Sequence, residues 1–310
     1  MTTSINAPDF IENFDVSEMT AGIVGFGYVG QAVESFFSSE CKTRVYDKFK
    51  QKQFDLDTLE DVVRESQIIF VCVPTPMKKD GSCSTHIIES VLEDIKIVAK
   101  NVNRDVSEFI IVLKSTVWPG FTKSMNKETG LRITFSPEFL TEANSIEDFE
   151  NTNRVIFGGN DDDTIIPLKF FERKLMNRAV LASCDDATAI EMVKLFTNAY
   201  LTVKVMFANE MFLVCKELGV DYNEVMTLAC LDPRIAYSHL KVPGPDGDFG
   251  YGGHCFPKDI NSLRCVAKQL GVNERLFTAT IERNNELRKR KDWLEQKGRA
   301  VVEDYEENSD

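Results

Sequence analysis

From Thr20 onward the chain alternates short β-branched and apolar runs with stretches of helical periodicity. The runs are Ala21–Gly25, Arg44–Tyr46, Gln67–Val73, Phe109–Leu113, Arg132–Phe135 and Arg154–Phe157, followed by Val180 and Leu181. Such alternation predicts a parallel sheet with helices on both faces, the doubly wound α/β class. After Cys184 the texture changes. Thr188–Gly219 reads as one long helix, with Ile190, Val193, Phe196, Leu201, Val203, Phe207, Met211 and Val214 as its apolar positions and Gly219 as its stop. A strand-like pattern returns only at Ala300–Val302. The expected organisation is an acidic tail over residues 1–18, a Rossmann-like domain over 19–183, a helical domain with a long central helix over 184–285, and a charged segment over 286–310. No internal repeat is visible.

Composition changes this picture little. The chain has 310 residues, 43% hydrophobic and 27% charged, which suits a globular protein with one large core or two modest ones. Its 36 Lys and Arg face 49 Asp and Glu, a net charge of −13, which argues against a nucleic-acid binder with its basic surface. Most of the excess sits near the ends, in Asp9, Glu12, Asp15 and Glu18 and in Glu303, Asp304, Glu306, Glu307 and Asp310. The body is nearly balanced, so acidity speaks for solubility more than for partners. The longest apolar runs, Ile68–Val73 and Phe109–Leu113, fall far short of the ~20 residues of a membrane-spanning helix. The N-terminus resembles neither a secretory signal nor a transit peptide. Eight cysteines without a Cys-x-x-Cys pair fit a reducing cytoplasm. His86, His239 and His254 lie too far apart for zinc-ligand spacing, so no metal is expected.

Candidate chemistry begins at Gly25-Phe26-Gly27-Tyr28-Val29-Gly30, which follows the run Ala21–Val24 and opens a helix through Ala32, Val33, Phe36 and Phe37. Glycines there permit a tight turn and close backbone approach, so a pyrophosphate can rest on the amides of the helix N-terminus. Asp47 closes the next strand, 22 residues beyond Gly25, where a carboxylate can accept from a ribose diol and repel a 2′-phosphate. The expected cofactor is NAD. Val73-Pro74-Thr75-Pro76 and Lys114-Ser115-Thr116-Val117-Trp118-Pro119-Gly120 each follow a buried strand, and each alone is an ordinary Pro-terminated loop. In register with the fingerprint they become candidate walls of a nicotinamide site.

In Ser136-Pro137-Glu138-Phe139-Leu140-Thr141-Glu142, Ser136 is expected to cap a helix with Pro137 in its first turn. That would put Glu138 and Glu142 at i and i+4 on one face. Like charges at this spacing are mildly destabilising and ask for a ligand or cation, with solvated surface acids as the alternative. Lys194 and Asn198 share the same spacing in the long helix and interrupt an apolar stretch. They read equally as a lysine with a lowered pKa able to act as a base, or as a snorkelling lysine beside a surface asparagine. Phe249-Gly250-Tyr251-Gly252-Gly253-His254-Cys255-Phe256-Pro257-Lys258-Asp259 sets a thiol after a glycine-rich turn and before a helix expected to start near Pro257. Helix dipole and Lys258 both favour thiolate there, and Asp259 lies one helical turn on. A small buried hydrophobe is the plain alternative for Cys255, and the other seven cysteines read as inert packing residues.

Taken in order, GFGYVG, VPTP, KSTVWPG, SPEFLTE, EMVKLFTNAYL, LDPRIA and FGYGGHCFPKD resemble the successive motifs of the nucleotide-sugar dehydrogenase family, which includes the UDP-glucose, GDP-mannose and UDP-N-acetylmannosamine dehydrogenases. The resemblance runs from about residue 20 to 285. It implies a four-electron oxidation in which a C6 alcohol, first of all that of UDP-glucose, becomes a carboxylate while two NAD are reduced. Cys255 would hold the intermediate as a thiohemiacetal and then a thioester. Lys194 would steady the alkoxide or, with water, take its proton, and Asn198 would donate to the oxyanion. Glu138, with a water ordered by Thr116 and Asp259, would drive thioester hydrolysis. The resemblance sets Gly25, Phe26, Gly27, Tyr28, Val29, Gly30, Asp47, Val73, Pro74, Thr75, Ser115, Thr116, Glu142 and Lys258 toward the cofactor. It sets Glu138, Phe139, Leu140, Glu142, Lys194, Asn198, Phe249, Gly250, Tyr251 and Gly252 toward the sugar, and Arg234 toward the sugar site of a neighbouring subunit. A cytoplasmic homodimer built on the long helix is therefore expected. Family members usually continue for roughly another hundred residues as a second doubly wound domain that binds the nucleotide. Here the stretch between Asp47 and Gln67 is also shorter than usual, and His254 stands where the residue is generally small. A one-step β-hydroxyacid dehydrogenase, which needs the Lys and Asn but no thiol, and a chain that only holds NAD remain open readings.

Overall fold

The structure, a computed structural model, describes residues 15–176 and 178–305. Most of the expected acidic tail and residues 306–310 lie outside these. In chain order the elements are β1 (Thr20–Val24), α1 (Tyr28–Phe37), β2 (Lys42–Tyr46), α2 (Gln51–Phe54), α3 (Leu59–Glu65), β3 (Ile68–Val71), α4 (His86–Asn101), β4 (Ile110–Leu113) and α5 (Phe121–Thr129). They continue with β5 (Ile133–Phe135), α6 (Ser145–Glu150), β6 (Arg154–Gly158), α7 (Asp161–Leu175), β7 (Val180–Cys184), α8 (Ala187–Leu218), α9 (Tyr222–Ala229), α10 (Cys255–Gln269) and α11 (Arg275–Leu287). The described residues form two compact units. The first takes in the chain up to Val73, Glu89–Ser115 and Gly120–Ile190; the second takes in Pro74–Ile88, Thr116–Pro119 and the chain from Glu191 on. Two loops that follow strands, expected within the first domain, thus fall in the second unit.

The first unit is a seven-stranded sheet of order β2-β1-β3-β4-β5-β6-β7. Every residue of β1, β3, β4 and β5 is buried, as a sheet covered on both faces requires. Phe36, Phe37, Phe70, Phe149, Phe157, Phe170 and Phe171 fill its core, with Phe37 stacked on Phe70 at 5.2 Å and edge-on to Phe171 at 5.1 Å. One expectation is corrected. β5 and β6 pair antiparallel, through Phe135 and Gly158, so the sheet is mixed rather than wholly parallel. The connection between them carries no long crossover helix; the six-residue α6 packs on α1 instead. The end of the expected acidic tail is also ordered: the Asp15 carboxylate accepts from Ser17 N, Arg173 pairs with it at 2.9 Å, and Val16 joins the core.

The second unit is helical. α8 runs for 32 residues and stops at Gly219, whose positive φ of 70° a glycine adopts without strain. Small apolar clusters form along it, Leu195, Ala199 and Met206 with Tyr251, Ile260 and Ile281, and Ala208 and Cys215 with Tyr222 and Met226. The strand expected at Ala300–Val302 reduces to isolated bridges of Val301 with Met77 and Lys297. Trp293, Ala300 and Val301 pack around Met77, which ties the C-terminal segment to the 74–88 loop.

Candidate active site

The fingerprint Gly25–Gly30 and Asp47 belong to the first unit. Gly25 has a φ of 95°, and a Cβ there would press on the Cys72 carbonyl; a Cβ on Gly30 would overlap the Gly25 carbonyl. Gly27, by contrast, caps α1 without a side-chain bond and faces open space, with nothing within 4 Å of an added Cβ. Asp47 is tied into this turn. One oxygen accepts from Phe26 N at 2.7 Å, the other from Phe49 N at 2.9 Å and Lys50 N at 3.1 Å. A carboxylate offers about four acceptor positions, so it can still accept from a ribose hydroxyl. An uncapped helix end over an open glycine, with an acid at the end of the next strand, fits a dinucleotide. Tyr28 and Val29, half-buried, open the first turn of α1. At the ends of β3 and β4, Ser115 Oγ donates to the Val73 carbonyl at 2.6 Å.

In the second unit a buried polar cluster joins α8 to α10. Asn198 Nδ2 donates to one Asp259 oxygen at 2.5 Å and Lys258 Nζ to the other at 2.6 Å. Lys194, Asn198, Lys258 and Asp259 are all buried, so the surface reading of the pair on α8 does not hold. Burial alone would raise the Asp259 carboxyl; the Lys258 and Lys194 ammoniums and the two hydrogen bonds outweigh it and hold the carboxyl below its ordinary value. Burial would likewise lower Lys258, and Asp259 outweighs it, holding the ammonium charged. Cys83, in the 74–88 loop, lies in the same electrostatic neighbourhood. Its thiol approaches the Thr75 carbonyl at 3.9 Å and the Thr116 carbonyl at 3.6 Å, and burial pushes it up, away from thiolate. Thr75, Thr116, Lys258, Asp259, Asn198 and Lys194 are thus brought together, while Pro74 stays exposed.

Cys255 is the first residue of α10, two positions earlier than the sequence suggested, and is half-buried at that helix N-terminus. Its Sγ lies 3.3 Å from His254 Nε2. The glycine-rich loop before it is held from three directions. Gly250 N donates to Asn209 Oδ1 of α8, Tyr251 N to Asn284 Oδ1 of α11, and Gly253 N to Asp292 Oδ2 at 2.9 Å. The guanidinium of Arg288, buried between Asp246 at 2.5 Å and Asp292 at 3.0 Å, fills the space that a Cβ on Gly252 would need. Phe249 and Tyr251 point into the apolar clusters of this unit. Cys83, Asn209, Asn284, Arg288 and Asp292 were not legible as site residues; the only hint was a run of glycines, which demands close partners without naming them.

One expectation is corrected. Residues 136–141 are not a helix: Ser136 N continues the sheet ladder to the Leu113 carbonyl, and buried Lys114 donates to Ser136 Oγ and the Pro137 carbonyl, both at 3.2 Å. Glu138 and Glu142 therefore share no helix face. Glu138 is buried and accepts from Leu140 N at 2.8 Å, whereas Glu142 is exposed in a short 3-10 turn. Phe139 and Leu140 also belong to the first unit, Phe139 under the Arg154 guanidinium at 4.0 Å and Leu140 against the sheet core. Arg234 is exposed and pairs with Asp232 of its own chain at 2.5 Å. Among the described residues no group of three or more His, Cys, Asp or Glu could hold a metal ion, and no helix is long and apolar enough to cross a membrane.

Residues 39–175 match the NAD binding domain and residues 188–286 the central domain of the UDP-glucose/GDP-mannose dehydrogenase family. A UDP-glucose 6-dehydrogenase of Rickettsia bellii is 31% identical over 72% of this chain and 50% of its own length. A GDP-mannose 6-dehydrogenase of Pseudomonas putida is 31% identical over 72% of this chain and 52% of its own. The structure of a UDP-glucose dehydrogenase from Pyrobaculum islandicum superposes with a TM-score of 0.75 at 23% identity, covering 90% of this chain and 70% of that one. The chain thus spans about half the length of the first curated relatives it matches. On its ordered motifs, its sheet and these matches, the chain belongs to the UDP-glucose/GDP-mannose dehydrogenase family and carries that family's NAD binding domain.

Proposed function

We propose that the chain is an NAD-dependent nucleotide-sugar 6-dehydrogenase that oxidises the C6 alcohol of UDP-glucose to the carboxylate through Cys255. The observation that carries this reading is the buried cluster in which Lys194 and Asn198 of α8 meet Lys258 and Asp259 of α10, the helix whose first residue is the thiol. The fingerprint amides and Asp47 would hold NAD, which would supply the hydride acceptor when bound. Lys194, beside the Asp259 carboxylate, steadies the alkoxide as the alcohol loses its proton. Asn198, oriented by Asp259, donates to the same oxygen. Cys255 adds to the aldehyde and keeps the half-oxidised carbon from escaping, which a one-step dehydrogenase has no need to do. Glu138 and a water then release the acid. The names of the relatives support UDP-glucose, with a GDP-sugar next. We assign residues 19–183 to the NAD-binding domain and 184–285 to a helical central and dimerisation domain. Exposed aromatics on α8, Phe196 at 67%, Tyr200 at 58% and Phe207 at 63%, support a homodimer built on that helix, with Arg234 reaching the partner's sugar. A cytoplasmic location accords with the free cysteines.

The test is stoichiometry. Purified chain with UDP-glucose should yield two NADH per sugar, and Cys255→Ser should stop with the intermediate bound. One NADH per substrate together with a fully active Cys255→Ser variant would replace this reading by a one-step β-hydroxyacid dehydrogenase. Stabilisation by NAD without oxidation of any UDP- or GDP-sugar would leave a coenzyme holder.

A further inference from the structure

We infer that His254 is the proton acceptor for Cys255, so that the pair works as a thiolate and an imidazolium. The inference rests on reading Cys255 as the thiol that captures the half-oxidised sugar. Three observations point to it. His254 Nε2 lies 3.3 Å from Cys255 Sγ, within reach of an S–H···N bond. Adjacent residues inside a helix do not face one another, but His254 stands just outside α10 as its N-cap, with φ −88° and ψ −25°, and this lets the ring turn back onto the sulfur. The N-cap residue ordinarily uses its side chain on a backbone N–H of the first turn, and this imidazole makes no such bond. The sulfur itself sits at the positive end of a 15-residue helix, where a thiolate is favoured.

The surroundings take the charge separation well. The titratable and charged groups around this end of α10 include Lys258 and Asp259 on the helix itself, Lys194 on α8, Cys83 in the 74–88 loop, His239 packed on Phe256, and Asp292 with Arg288 behind Gly252 and Gly253. The Asp259 carboxylate is matched by Lys258 and that of Asp292 by Arg288. Lys258 acts on Cys255 at longer range. The step balances without a further reactant. The Cys255 proton passes to His254 Nε2; sulfur bonds to the aldehyde carbon; the carbonyl pair moves onto oxygen, which takes the proton back from the imidazolium. Thiol and aldehyde become a thiohemiacetal with no net change in protons.

The experiment is alkylation of Cys255 in the full chain by iodoacetamide, followed by peptide mass spectrometry across pH 5.5–9 without NAD or sugar. In the wild type the labelling rate should rise well below the ~8.5 of an ordinary thiol. His254→Ala should move the profile up and slow labelling at pH 7 about tenfold, one unit of pKa. His254→Gln, which can hydrogen-bond but takes no proton near neutrality, should behave like Ala, with melting temperature confirming that both fold. Wild-type rates in His254→Ala, or wild-type rates restored by His254→Gln, would overturn the inference. Failure of the dehydrogenase reading is seen separately, in the NADH stoichiometry: His254-dependent labelling in a chain that oxidises no nucleotide sugar would keep the pair and discard the substrate.

Discussion

In the first unit, β3 and β4 bury nothing but Ile, Phe, Val and Leu, whereas in the second the middle of α8 buries Glu191, Lys194, Asn198, Thr202 and Asn209. The two interiors hold together for different reasons. Apolar burial contributes roughly 25 cal/mol per Å², indifferent to pH and to the identity of each neighbour. A polar interior is stable only while every group keeps its partner, because each orphaned charge carries its full desolvation cost. The sheet therefore acts as a scaffold that tolerates conservative exchange, and the helical unit as an arrangement in which one substitution disturbs several groups.

The sharpest way to break the contrast is Asp259→Ala. It strands the Lys258 ammonium and removes the acceptor of Asn198, so the loss expected in urea unfolding is about 5 kcal/mol, the upper end for a broken buried pair. Phe37→Ala, a pure cavity in the aromatic core, should cost about 3–4 kcal/mol and leave labelling of Cys255 unchanged. A deficit for Asp259→Ala no larger than that of a surface substitution would mean the polar interior is not the sensitive one. Asp292→Ala should cost less, about 1–2 kcal/mol, by freeing Gly253 N and one side of Arg288. Its signature is faster hydrogen exchange at Gly252 and Gly253 with the sheet amides unaffected.

The smallest effect near neutrality is that of pH, and its sign follows from the pair. The Asp259 carboxyl is depressed on folding, so its contribution is present above the unfolded value of about 4 and disappears as pH falls through the lower folded value. Lys258 is raised on folding, so its contribution is present below about 10 and disappears as pH climbs through the higher folded value. The gap between wild type and Asp259→Ala should stay level between those limits and narrow outside them. The gap for Phe37→Ala should stay level throughout.

Much of the scaffold was legible because its signals are local. Buried strands are runs of apolar residues, α8 is an apolar period ending in a glycine, and the fingerprint lies between a strand and a helix with Asp47 at its proper distance. The segment 136–142 misled for the same reason. Ser-Pro followed by two acids looks like a helix start, yet Lys114, 22 positions earlier, takes up the Ser136 hydroxyl and the Pro137 carbonyl and holds the backbone extended. The reversal of β6 carries no local mark either, since a strand reads alike in both directions.

By itself the sequence determined most of the strands and helices, the glycine turn that opens α1 and the thiol that follows a glycine-rich loop, because each depends on residues that are neighbours in the chain. Only the tertiary structure decided that Lys194 and Asn198 are buried with Asp259, that Arg288 and Asp292 support the glycines from more than thirty residues away, and that the His254 ring turns onto the Cys255 sulfur. Those are statements about which polar groups lose water together. Desolvation is set by everything that packs around a group, and that is a property of the fold rather than of any stretch of chain.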